Sequence, residues 1–295
     1  MSVNARLPPV HFLLALLVVA VWGTNFVVIH LALRHFPPLL FAAARFTFAA
    51  LPWVLVVKRP AVPWRQLVSY GVLVGVGLFG LVFIAMRNDI SAGLASLVLQ
   101  TQALFTVALA AGLLGERVRG FQLAALGLAA AGLGLIAVHS HQSATPKGLI
   151  LVVLAALSWG GSNLIVKQAG PVNAMAYVIW ASLFAVPPLV GCSLIFEGWP
   201  AITQSLAEAD MLSWIAVLWQ SVANTIFGYG AWSWLLARHP AATITPISML
   251  VPIFGIAAAT VLLGEPLPVW EVVAAILVLA GLALNFLWPR LQINQ

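Results

Sequence analysis

Long apolar runs alternate with short polar breaks along the whole chain. The runs lie near residues 10–31, 38–57, 67–86, 91–113, 121–138, 148–167, 173–195, 212–235, 241–263 and 269–288. Each is close to the roughly twenty apolar residues that a helix needs to cross the hydrocarbon core of a bilayer. The longest break, Glu197–Asp210, leaves no room for a soluble domain. The pattern predicts an all-α integral membrane protein of ten transmembrane helices. Arg6 precedes the first run, and no small-residue cleavage site closes a short apolar core there, so this run is expected to be a span rather than a cleaved signal.

The runs repeat. Leu113-Leu114-Gly115-Glu116 recurs as Leu262-Leu263-Gly264-Glu265, and Gly132 answers to Gly281 at the same offset. Ala20-Val21-Trp22-Gly23-Thr24-Asn25 is echoed by Leu157-Ser158-Trp159-Gly160-Gly161-Ser162-Asn163. Several matches in one order indicate a duplication, with residues 1–143 as one five-helix unit and 144–295 as the other. Five is odd, so the second unit starts on the opposite face and the two units are inverted. Inverted repeats recur in secondary transporters, whose substrate site lies near the midplane between the halves.

Composition agrees with the pattern. Hydrophobic residues make up 63% of the 295 and charged residues 7%, against about 25% charged in a soluble domain. The mean hydropathy is +1.07. Charge sets the expected orientation. With the N-terminus in the cytoplasm, Arg6, Lys58, Arg59, Arg65, Arg117, Arg119, Lys167, Arg238 and Arg290 lie inside and only Arg34, Arg87 and Lys147 outside, which places both termini in the cytoplasm. Six of the seven acids, all but Glu116, then fall outside.

The thirteen Lys and Arg are spread along the chain, so the high pI reflects loop charge and does not point to nucleic acid. A single cysteine, Cys192, excludes an intramolecular disulfide and a cysteine-cluster metal site. The chain carries no G-x-x-x-x-G-K-S/T phosphate loop, G-x-S-x-G elbow, H-E-x-x-H or acidic metal cluster, so neither an ATPase nor a membrane enzyme, and no metal or cofactor, is expected.

Polar groups inside apolar spans are costly, and each calls for a task. Trp22 and Asn25 share a helical face, as do Trp159 and Asn163, and each pair sets a flat apolar wall beside an amide. In the fourth run Ser96 and Gln100 share a face while Gln102 points away, so Gln100 is the pathway candidate and all three can face one cavity only if the helix is distorted. Gln220 and Asn224 form an i,i+4 pair in the eighth run. Ser248 lies between Pro246 and Pro252, which would let the ninth helix bend and act as a gate. Arg45 stands in FAAARFTFAALPWVLVV, a permanent cation in an apolar run, and the repeat sets it against Trp180. Two readings stay open for it: an anchor snorkelling to the interface, or a partner for a substrate carboxylate.

WGTNFVVI in the first span, ARF in the second, GLASLVLQTQALFT leading to LLGE, and the second-half proline pair ending in LLGE resemble the EamA branch of the drug/metabolite transporter superfamily over essentially the whole chain. Within that branch, ASLVLQTQA and SWGGSN are similar to bacterial inner-membrane exporters of O-acetylserine and cysteine-pathway metabolites. The resemblance implies a ten-helix secondary transporter in the bacterial inner membrane that exports small amino-acid metabolites by alternating access. Import or exchange of another small organic solute is the alternative, and a non-transporting structural or regulatory membrane protein is the alternative of a different class. Protons are the candidate coupling ion, although none of the seven acids lies mid-span.

Overall fold

The computed structural model describes residues 7–116, 118–139, 143–170, 172–239 and 241–293. Each apolar run becomes helix. The helices are α1 (Pro9–Ala32), α2 (Pro38–Val54), α3 (Trp64–Asn88), α4 (Ala92–Leu114), α5 (Gly120–His139), α6 (Pro146–Ala169) and α7 (Ala174–Phe196). They continue as the short α8 (Trp199–Glu208), then α9 (Met211–Leu236), α10 (Val251–Leu263) and α11 (Val269–Ile293). Seven of them, α1, α3 to α7 and α9, are long and apolar enough to cross a membrane, while α2, α10 and the apolar part of α11 are shorter. Helix is what an apolar chain in lipid must form, because it satisfies every backbone donor and acceptor within the segment.

Two helices are broken at matching places. In α4 the helix stops at Leu99 and restarts at Gln102, the amides of Gln100 and Thr101 reaching only three residues back, to Leu97 (3.1 Å) and Val98 (3.1 Å). At the offset that superposes the two LLGE motifs, α10 is entered through the turn Ala241–Ile244 and a 3-10 segment, Thr245–Leu250. Prolines account for the second break, and Pro252 begins the regular helix in its first turn, where a missing N–H costs nothing. The side chain of Pro246 lies outside the described residues, as do Arg6, Arg117 and the side chain of Arg290. Two further helices widen into π-turns, α3 over Leu73–Gly80 and α9 over Trp219–Phe227. A π-turn frees a carbonyl and is common at functional sites. Here Ser158 donates to the carbonyl of Leu73 (2.9 Å) and the Trp22 indole to that of Asn224 (3.1 Å).

Helices α5 and α11 pack reciprocally. A Cβ on Gly132 would lie 2.8 Å from Val278 and 3.1 Å from the Ala274 carbonyl, and one on Gly281 would lie 2.7 Å from the Ala125 carbonyl. The offset that relates the LLGE motifs carries Gly132 onto Gly281 and Ala125 onto Ala274. Small residues let backbones approach in lipid. Gly281→Leu is therefore expected to force the two helices apart and destabilise the protein by about 1–3 kcal/mol, the usual cost of overpacking. The check is the melting temperature of the purified variant, with Gly134→Leu, where a Cβ meets nothing within 4 Å, as the control expected to leave it unchanged.

The loop contacts define two faces. On one, rich in acids, Lys147 pairs with Asp89 at 2.7 Å and Glu197 accepts from the Leu39 and Leu40 amides at 2.6 and 3.0 Å. Hydrogen bonding from Lys147, with help from Thr145, holds the Asp89 carboxyl below the ordinary carboxylate range. The tie is therefore complete at neutral pH and is lost only as pH falls through that lowered value. On the other face Lys167 pairs with Glu116 at 2.5 Å, and His11 and His239 meet at 2.7 Å between the start of α1 and the end of α9.

Candidate functional site

The irregular segments of α3, α4, α9 and the lead into α10 converge, with α1 and α6, around a cavity of about 350 Å³. Its wall follows from the helix defects just described. The break in α4 turns Leu99, Gln100 and Gln102 toward the same space, and the π-turns deliver Leu78 and Phe79 from α3 and Asn224 from α9, followed by Tyr229 and Trp232. Helix α1 contributes Trp22, Asn25 and Phe26, α6 contributes Trp159 and Asn163, and Ser248 and Val251 complete the wall.

Seven of the ten binding residues expected from sequence thus come together: Trp22, Asn25, Gln100, Trp159, Asn163, Asn224 and Ser248. Gln220 is fully buried away from the cavity, with neither end of its amide hydrogen-bonded among the described residues. Trp180 lies elsewhere, donating to the Val57 carbonyl (2.9 Å) and resting edge-on against Trp64. Of the two candidate gating prolines, Pro252 opens the regular part of α10 directly after Val251. Arg45 does not snorkel. Its side chain is 1% exposed, with one nitrogen 2.9 Å from the Thr225 hydroxyl and the guanidinium 3.7 Å above the Phe79 ring.

The polar groups on the wall are amides and hydroxyls rather than charges. Asn163 donates to Gln102 Oε1 (2.8 Å) and Thr106 Oγ1 (3.1 Å), a node joining α6 to the second half of α4. Trp22 meets Tyr229 (5.6 Å) and Trp232 (5.2 Å) with tilted rings, so α1 and α9 share an aromatic wall. Asn25 is 4% exposed and its carbonyl oxygen has no hydrogen-bond donor among the described residues. A buried acceptor left unmet costs about 1–3 kcal/mol, so Asn25 is the wall residue with most to gain from a ligand that donates.

Gln102, Phe79 and Tyr229 escaped the sequence reading. Regular helical spacing turned Gln102 away, because nothing in Gln100-Thr101-Gln102 announces a break. The signal for Tyr229 was its place between Gly228 and Gly230 in a span that already carried Gln220 and Asn224.

Toward the acidic face α1, α10 and α4 pack closely against one another. A Cβ on Gly23 of α1 would lie 2.5 Å from Phe254 of α10, and one on Gly255 of α10 would lie 2.5 Å from Ser96 of α4. Glu265, just beyond α10, locks α10 to α4 by accepting from the Ala92 (2.8 Å) and Gly93 (3.0 Å) amides at the start of α4. A carboxylate there meets both unpaired amides and the positive end of the helix dipole.

Comparison with known proteins fits this geometry. The model of the EamA-like transporter family matches twice, over residues 10–138 and 146–287. A probable amino-acid metabolite efflux pump of Salmonella typhimurium is 43% identical over 285 residues, covering 95% of each chain. Its namesake in Escherichia coli is 39% identical over 278 residues, covering 92% of this chain and 93% of that one. One crystal structure shares the fold, with a TM-score of 0.61 at 20% identity over 95% of this chain and 98% of its own. Helical, built around a cavity of indoles, apolar side chains and a few amides, and matched along both halves, the chain belongs to the EamA-like transporter family.

Proposed function

We propose that the protein exports small amino-acid metabolites, such as O-acetylserine and cysteine, from the bacterial cytoplasm by alternating access. The observation that carries this reading is the cavity, to which both halves contribute a tryptophan and an amide from matching motifs, Trp22 with Asn25 and Trp159 with Asn163. A volume of about 350 Å³ is at the small end for ligand sites. Neutral donors and acceptors beside indoles suit a small zwitterion. The 43% and 39% identity to probable amino-acid metabolite efflux pumps supports the same substrate class.

In this reading the ten apolar helices all cross the membrane as two inverted five-helix units. The reciprocal packing of Gly132 and Gly281, the matching breaks in α4 and at the entry to α10, and the double family match support it. The acidic face is periplasmic, and both termini are cytoplasmic. The Glu265 lock then marks a conformation closed to the periplasm. Its counterpart on the basic face, Glu116, pairs with Lys167 of α6 instead of capping the lead into α10, as expected when the cytoplasmic side is the unlocked one. Efflux from cells overproducing the protein tests the export reading. Extracellular O-acetylserine or cysteine rises if it holds, and unchanged efflux across a metabolite panel removes it.

A further inference from the structure

Arg45 is the least explained group in the molecule. It is among the largest fully buried side chains, and its guanidinium keeps its proton in proteins. Buried cations are paired or coordinate something, because the charge has otherwise lost its water for nothing. Yet the ion pairs among the described residues, Lys147 with Asp89 and Lys167 with Glu116, both lie at helix ends. Arg45 has only the neutral hydroxyl of Thr225 and the faces of Phe79 and Phe46, at 3.7 and 5.0 Å. Its Nε and one terminal nitrogen have no hydrogen-bond partner among the described residues. Those donors belong to the planar fork that matches a carboxylate.

The cation is one ring away from the substrate cavity. Phe79 and Tyr229 border that cavity on one side and, on the other, a void of about 10 Å³ beside Arg45. The void is too small for a carboxylate until Phe79 moves. Phe79 stands in the π-turn of α3, where a return to regular helix would rotate its side chain.

We propose that Arg45 is a latent receptor for the substrate carboxylate, screened from the cavity by Phe79, whose ring stands between the cavity and the guanidinium and must swing aside for the carboxylate to reach the N–H edge. The aromatic face is a provisional partner for the cation. A carboxylate entering from the cavity replaces it with a bidentate ion pair and leaves the amino end of the substrate among the cavity amides. The inference rests on the cavity being the substrate site, and it adds the group that selects amino acids over uncharged solutes of the same size.

The test compares O-acetyl-L-serine with its carboxamide, which has the same shape and no negative charge. Binding to the purified full-length protein is followed by tryptophan fluorescence, Trp22, Trp159 and Trp232 lying on the cavity wall. The wild type is expected to bind the acid at least tenfold more tightly than the amide. Arg45→Gln should lose about tenfold or more for the acid and nothing for the amide, so the preference disappears. Arg45→Lys, which keeps the charge should the glutamine variant fail to fold, should reduce the preference without abolishing it. Phe79→Ala should keep the preference and bind faster. Equal binding of acid and amide by the wild type, or a preference that survives Arg45→Gln or is untouched by Arg45→Lys, overturns the receptor and leaves the cavity standing. Failure of the wild type to bind either compound removes the cavity as substrate site and the receptor with it.

Discussion

Glu265→Gln is expected to open the acidic side, periplasmic in the proposed orientation, raising the reactivity of a cysteine placed at Ser96 toward a membrane-impermeant thiol reagent by about 5- to 30-fold. Ser96 is fully buried at the seam between α4 and α10, where its hydroxyl faces Gly255. The lock over that seam is one carboxylate bonded to two amides, Ala92 and Gly93. Hydrogen bonds to a charged group are worth about 1.5–3 kcal/mol each, against about 1 for a neutral one. Glutamine has the same size, keeps one carbonyl acceptor and gives up the charge that faces the helix dipole. A net loss near 1–2 kcal/mol follows, and 1.4 kcal/mol is tenfold in a population. The experiment uses Cys192→Ser as background, so that the introduced thiol is the only one, Cys192 being the sole native cysteine.

The proposed inverted arrangement gives this prediction a mirror. The offset that carries Glu116 onto Glu265 carries Ala92 and Gly93 onto Ala241 and Ala242, the first residues of the lead into α10. If the two units exchange roles, Glu116 leaves Lys167 and caps those amides when the cytoplasmic side closes. Glu116→Gln should then lower the reactivity of the Ser96 cysteine, the opposite sign from Glu265→Gln. Shifts of the same sign in both variants would contradict the exchange.

The second large effect concerns Asn25. Asn25→Leu should reduce transport at least tenfold while leaving the melting temperature unchanged or higher. The Asn25 carbonyl is buried without a donor among the described residues, and leucine of similar volume removes that penalty. A substitution that stabilises the fold and removes activity is the signature of a group kept for its ligand rather than for packing. Asn163, whose amide already serves Gln102 and Thr106, is the contrast. Its leucine variant should lose stability as well as transport, because Gln102 is left without its donor. Melting curves and counterflow rates on the same preparations separate the two.

Much of this was legible in the chain. Twenty-residue apolar runs have few alternatives to helix in lipid, so the elements fell where hydropathy put them. The glycines 132 and 281 that the sequence matched each pack against the other's helix. The wall of the cavity was harder. Prolines announced the break before α10, but α4 breaks at Gln100 and Thr101 without proline or glycine, and only tertiary packing sets that irregularity. Regular helical geometry therefore placed Gln102 on the wrong side. The π-turns were hidden for the same reason, and with them the reach of Phe79 and Tyr229. Arg45 could be flagged as costly from sequence, but whether its long side chain ran to an interface or inward depended on Phe79 and Thr225, which lie far from it in the chain.

The central claim is that this cavity carries amino-acid metabolites across the bilayer, and counterflow tests it most directly. Proteoliposomes loaded with unlabelled O-acetylserine or cysteine, and given a trace of the labelled compound outside, should accumulate label transiently above equilibrium, with and without a pH gradient if protons are not coupled. The accumulation should fall to the level of empty liposomes with Asn25→Leu. Uptake by the wild type that never exceeds empty liposomes, for either compound and across a wider amino-acid panel, would contradict the account.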